Sequence, residues 1–172
     1  MSLVNAFAVA GGRIVLTRGL IADARSADEV AGVLSHEIGH ATLLHPEAQL
    51  VRILGLDLVM KLFTGGASGN TAASVAGLAA ILRSSREAER EADAFARRLM
   101  AEAKIDPAGL KSFFEALLKQ HGGSGSGNNA IGAIGNVFST HPGLEERIHE
   151  FTPLPQGASV EPVLTAEQWS AL

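Results

Sequence analysis

Residues 36 to 40 read His36-Glu37-Ile38-Gly39-His40. Two imidazoles four residues apart on a helix share one face, so both can bind a single metal ion. Glu37, beside them, is placed to take a proton from an attacking water. Arranged in this way, the three residues suit zinc-dependent hydrolysis. The motif is short enough to arise by chance on a polar helix face, so its setting matters. Ser26 and Glu29 form a capping box that opens a helix, and Val30, Val33, Leu34, Ile38 and Ala41 follow at helical spacing. That helix is expected to reach Leu44 or His45, with Pro46 just beyond.

A catalytic zinc site with an open position needs a third protein ligand. In one class it is a third histidine six residues after the second, with a glycine between them. Here Leu43 takes the glycine position and Pro46 the histidine position, and His45 falls one residue short. His45 therefore reads as a C-terminal helix residue facing the helix dipole. The other class takes a glutamate from a separate helix. Glu89 and Asp93 lie one turn apart in Glu89-Arg90-Glu91-Ala92-Asp93. Glu89 can complete the metal site. Asp93 can accept the second N–H of a metal-binding imidazole, which fixes its tautomer. A charged surface helix is the alternative, and Glu87, Arg90, Glu91, Arg97 and Arg98 read as just that. For Glu89 and Asp93 the two motifs together favour the site.

The elements that must position these residues are mostly helical. Phe7 to Thr17 reads as a β-hairpin turning at Gly11-Gly12. A lone hairpin is marginal in water, so it must pack on helices or pair with strands from elsewhere. Residues 47 to 63 and Thr71 to Leu82 read as helices separated by a Gly-rich break at Thr64 to Asn70. Ser84 with Glu87 signals another capping box, opening a helix to about Lys104 with Ala88, Ala92, Phe95, Ala96 and Leu99 on its buried face. Asp106-Pro107 starts a helix to about Gln120. Gly122 to Gly135 reads as a long mobile loop, Pro142 to Phe151 as a short helix, and the tail as irregular, with Thr165 and Gln168 capping a last turn. The segment from 50 to 82 could cover a cleft or lie on a membrane surface, and intramolecular packing is the simpler reading. His121 and His149 read as surface residues, Met60 and Met100 as packing.

With 172 residues, 47% of them hydrophobic, the chain can build one ordinary domain with a real core. The net charge of -4 offers no basic surplus for phosphates, which argues against nucleic acid as a partner. There is no cysteine, so a metal must be held by His, Asp or Glu. No signal peptide or apolar run of transmembrane length is visible. The expected fold is α+β and mostly helical. It forms a single domain over 1–172 with a core at 5–151 and a tail at 152–172, and it reads as a piece of a longer protein.

Four features, in order, give the chain a family likeness: Asn5-Ala6-Phe7-Ala8 with Gly11-Gly12 and Gly19-Leu20; the His36 to His40 motif; Glu89 to Asp93; and Ser139-Thr140-His141-Pro142 with Arg147. Over roughly residues 5 to 150 the chain resembles the HtpX/BepA-like zinc peptidases of peptidase family M48, which include the prenyl-protein CAAX proteases. The resemblance implies a gluzincin fold in which the hairpin borders the cleft and can take an extended peptide by strand addition. It implies one Zn2+ held by His36, His40 and Glu89, with Glu37 as the catalytic base. It also implies polypeptide substrates, unfolded or misfolded, in protein quality control near a membrane or in the bacterial cell envelope.

Family position brings His141 into the site, and Arg147 as a possible support that pairs with a site carboxylate or forms a structural salt bridge. The chain has no tyrosine, so the donor for an oxyanion must be His, Arg, Asn or a backbone N–H. His141 is expected either as that catalytic donor or as a fourth ligand closing the resting site.

Overall fold

The computed structural model describes residues 3–64, 72–121, 141, 143–154 and 159–171. Strands β1 (Ala6–Val9) and β2 (Arg13–Leu16) form an antiparallel hairpin in which Ala6 faces Leu16 and Val9 faces Arg13. The reversal needs positive φ, and Gly11 and Gly12 supply it at 88° and 73°. Asn5 and Thr17 close the hairpin base. The Asn5 N–H donates to the Thr17 hydroxyl at 2.9 Å, and that hydroxyl donates to the Asn5 carbonyl at 2.8 Å. Thr17 Oγ1 also accepts from the Leu20 N–H, capping helix α1 (Arg18–Asp23). The hairpin rests on helix α2 (Ala27–Thr42), so the packing partner it requires is a helix.

Helix α3 spans His45–Thr64, α4 Ala72–Glu102 and α5 Ala108–His121. A short helix α6 (Leu144–Arg147) runs into a single 3-10 turn at Ile148–Glu150, and α7 covers Ala166–Ser170. Helix α2 packs against α4 and α5. The core gathers Leu20, Val33, Ala96, Leu110, Phe113, Leu117 and Phe151. Fully burying each large side chain contributes about 2 kcal/mol.

Several sequence expectations need correction. Ser84 opens no helix, because α4 runs continuously from Ala72 through Glu87 to Glu102; a capping pattern inside a strong helix former loses to helix propagation. Pro46 does not end α2 but sits at the second position of α3, where a missing N–H costs nothing. Glu29 shifts its cap by one residue: Ser26 Oγ accepts from the Glu29 N–H, but the Glu29 carboxylate accepts from the Arg25 N–H at 2.8 Å and from the Ser112 hydroxyl at 2.6 Å. The helix expected from Pro142 to Phe151 is the shorter α6 with its 3-10 turn, and it follows Gly143 at φ 76°. At the start of the 50 to 82 segment, Leu50, Val51, Ile53 and Leu54 are exposed rather than packed within the chain, and its side chains from 56 onward lie outside the described residues.

The Thr165–Gln168 cap is present as a full capping box, and Met100 is fully buried. The Gly122 to Gly135 loop, Ser139, Thr140, Pro142 and most of the Gly-rich break lie outside the described residues. Among the described residues, no helix is long and apolar enough to cross a membrane.

Candidate metal centre

Helix α2 turns a polar face inward. His36, Glu37 and His40 are buried along with Gly32, Ser35 and Gly39, whereas Leu34 and Ile38 are only partly buried. Hydrophobic periodicity marks the apolar residues, yet the deepest contact of this helix is made by its chemistry. Glycine makes that contact possible. A Cβ on Gly39 would lie 3.0 Å from the Ala92 carbonyl oxygen and 3.1 Å from the Ala92 Cα. The bare glycine therefore brings α2 within reach of Glu89 and Asp93 on α4.

Four side chains converge: His36, His40, Glu89 and His141 each offer one ligand atom, all within 4.8 Å of one another. His36 Nε2 lies 3.1 Å from His40 Nε2 and 3.2 Å from His141 Nδ1. Glu89 Oε2 lies 3.4 Å from His36 Nε2 and 3.1 Å from His141 Nδ1, and Glu89 Oε1 lies 3.2 Å from His40 Nε2. A tetrahedral ion with bonds of about 2.0–2.1 Å holds its ligand atoms about 3.3 Å apart. The five separations match that spacing, so the donor set fits one small cation bound by nitrogen and oxygen. The fourth sequence candidate, Glu37, faces the same space. Its Oε1 lies 3.2 Å from His141 Nε2, and its buried Oε2 has no hydrogen-bond partner among the described residues.

Outside the cluster, Asp93 Oδ1 lies 2.9 Å from His36 Nδ1. Arg147 then grips both Asp93 and Glu89 of α4. Its Nε and Nη2 donate to the two Asp93 oxygens at 2.6 and 2.7 Å, and its Nη1 donates to Glu89 Oε2 at 2.5 Å. The planar fork of an arginine suits this double hold. Arg147 is delivered by α6, which Leu144 and Ile148 anchor in the core.

Electrostatics follow from burial and from these partners. Burial works against a charged Glu89, yet the His141, His36 and His40 rings hold its carboxyl far below the usual carboxylate range. Glu37 and Asp93 are likewise buried, and each is lowered, Glu37 by the His141 ring and Asp93 by the Arg147 guanidinium and His36. Desolvation opposes a charged His141, but Glu89 and Glu37 push it up to about 10. His36 is raised against its burial by Asp93 and Glu89, whereas burial carries His40 down.

Of the residues singled out in the sequence for the site, His36, Glu37, His40, Glu89 and His141 meet in this cluster, and Asp93 and Arg147 contact its members from outside. Sequence reasoning missed His45, whose ring lies against His40, and its partner Glu91. A histidine just past a metal-binding motif was the available signal.

Comparison with known proteins bears directly on this geometry. Residues 1–153 match Peptidase family M48. The chain belongs to that family of metalloproteases. It is 34% identical over 148 residues to the mitochondrial metalloendopeptidase OMA1 of Arabidopsis thaliana, covering 84% of this chain and 28% of that protein. To the metalloprotease LoiP of Escherichia coli it is 35% identical over 150 residues, covering 84% of this chain and 56% of that protein. A putative beta-barrel assembly-enhancing protease of Vibrio cholerae is 32% identical over 160 residues, covering 84% of this chain and 31% of that protein. The chain thus spans about half or less of the length of these relatives. Its mostly helical fold with a small two-stranded sheet agrees with the zincin-like fold of the family.

Proposed function

We propose that this chain is a zinc-dependent endopeptidase domain. The observation that carries the reading is the buried set of His36, His40, Glu89 and His141, whose donor atoms have the mutual spacing of ligands around one ion. His36 and His40 would hold the zinc through Nε2, and Glu89 through its carboxylate. When bound, zinc supplies a Lewis acid that polarises the scissile carbonyl and lowers the pKa of water towards neutrality.

The protein's own groups do the rest. Glu37 is the base: its Oε2, which has no hydrogen-bond partner among the described residues, takes a proton from the attacking water and later passes it to the leaving amine. Asp93 fixes the proton of His36 on Nδ1, so that Nε2 keeps its lone pair for the metal. Arg147 holds Asp93 and Glu89 in place and balances their charge. His141, with Nδ1 among the ligand atoms, favours the closing role, the fourth position that a substrate must displace. Its Nε2 lies 3.4 Å from the Ala6 carbonyl of β1. This puts the hairpin at the site's edge, where an extended polypeptide can pair with it.

Substrates are polypeptides, unfolded or misfolded. The role is protein quality control of misfolded or membrane-associated proteins, in keeping with relatives named as assembly-enhancing proteases. Glu37→Gln tests the mechanism. The amide keeps the shape and removes the base, so hydrolysis of unfolded casein should disappear while bound zinc remains. Wild-type turnover by that variant would refute the assignment.

A further inference from the structure

Both histidines of the α2 motif need something to hold the ring nitrogen that faces away from the metal. For His36 that partner is Asp93. For His40 the outer nitrogen meets a different group. His40 Nδ1 lies 3.0 Å from Nδ1 of His45, and His45 Nε2 lies 3.0 Å from Glu91 Oε2. The two rings meet edge to face, with centroids 5.0 Å apart and planes at 73°. The His45 side chain is 12% exposed and that of Glu91 59% exposed, so the chain of contacts runs from the buried site to the surface.

A single proton arrangement satisfies all three groups. Nε2 of His40 faces the other ligand atoms and must keep its lone pair for a metal. The proton of His40 is then on Nδ1, and among the described residues its partner is His45 Nδ1. With Nδ1 accepting, the proton of neutral His45 is on Nε2, and it donates to the Glu91 carboxylate. The carboxylate fixes the tautomer of His45, and His45 fixes that of His40.

The backbone is shaped for this contact. Leu44 lies in the two-residue link between α2 and α3. Its N–H donates to the Ala41 carbonyl at 3.3 Å, and its own carbonyl accepts from Ala48 at 2.9 Å. Its φ is 56°, a left-handed conformation that costs a leucine about 1 kcal/mol or more and is usually left to glycine. The reversal it creates turns the next residue, His45, back onto His40.

We propose that His45, backed by Glu91, is the positioning residue that orients His40 and fixes its tautomer for metal binding. This rests on the reading of His40 as a zinc ligand. The test compares wild type, His45→Leu and His45→Asn, each stripped of metal and titrated with zinc against a chromophoric chelator. Asparagine places an amide oxygen near the position of Nδ1 and can still accept from His40; leucine cannot. The wild type should bind one zinc, His45→Leu should bind it roughly 10- to 100-fold more weakly, and His45→Asn should stay close to wild type. Long-range 1H–15N spectra of the zinc-loaded wild type should show His40 protonated on Nδ1.

Equal affinity in His45→Leu and wild type would overturn the proposal. So would a His45→Asn variant as weak as His45→Leu, which would mean that the ring merely packs. If His45→Leu fails to fold, Glu91→Ala decides at an exposed position: weaker zinc binding supports the relay and unchanged binding refutes it. A wild-type chain that binds no zinc fails the parent reading instead, so the two failures are distinguishable.

Discussion

Burial turns the site's acidic residues into a problem that only their partners solve. Asp93 is fully buried and carries charge because Arg147 and His36 face its two oxygens. Asp93→Asn keeps the volume but loses the carboxylate that faces His36 Nδ1 and is proposed to fix its tautomer. Zinc affinity or activity should fall roughly 10- to 100-fold, measured by chelator competition and casein hydrolysis. A variant that equals wild type in both measurements would reduce Asp93 to a buried structural acid.

His141 separates two chemical roles in one substitution. If it only closes the site, His141→Ala should retain zinc and raise activity. If it donates to the oxyanion, kcat should fall roughly 10²-fold with zinc retained. The placement of Nδ1 among the ligand atoms predicts the first outcome. His36, Glu37, His40, Glu89 and Asp93 were legible as candidates because each belongs to a spaced motif, whereas His141 and Arg147 were reached only through the family resemblance. His45 was not legible, since its reading assumed that α2 continued to it. The positive φ of Leu44 ends that helix early and reverses the chain, and no propensity marks a leucine for that conformation.

At the scale of elements, the spacing between α2, α4 and α5 is set by two glycines. Gly39 admits α4, and Gly32 admits α5, where a Cβ would sit 2.7 Å from the Leu110 Cβ and 3.0 Å from its Cα. Both obstacles are close to the backbone and cannot swing aside. Alanine improves helix propensity by about 1 kcal/mol, but the forced separation should outweigh it. Gly32→Ala should destabilise the protein by about 1–2 kcal/mol in urea unfolding, and a stabilised variant would contradict the close approach. The hairpin, the Thr165 cap and the α5 start were readable from local turn and cap chemistry. The joining of two expected helices into α4 was not, because a Ser-x-x-Glu pattern has the same form inside a helix as at its start.

At the scale of the whole molecule, the chain folds a hairpin and a helical core around one buried cluster, with Glu89 and Asp93 on α4 and their counter-charge, Arg147, on α6. We read 1–172 as a single metallopeptidase domain, and it spans about half or less of the length of the relatives it matches. In the function proposed above, His36, His40 and Glu89 together hold one zinc ion. The most direct measurement is the metal content of purified wild type and Glu89→Gln after dialysis against a mild chelator. Wild type should keep one zinc per chain, and Glu89→Gln should lose most of it. A wild type without zinc, or a Glu89→Gln variant that keeps its full complement, would contradict the claim.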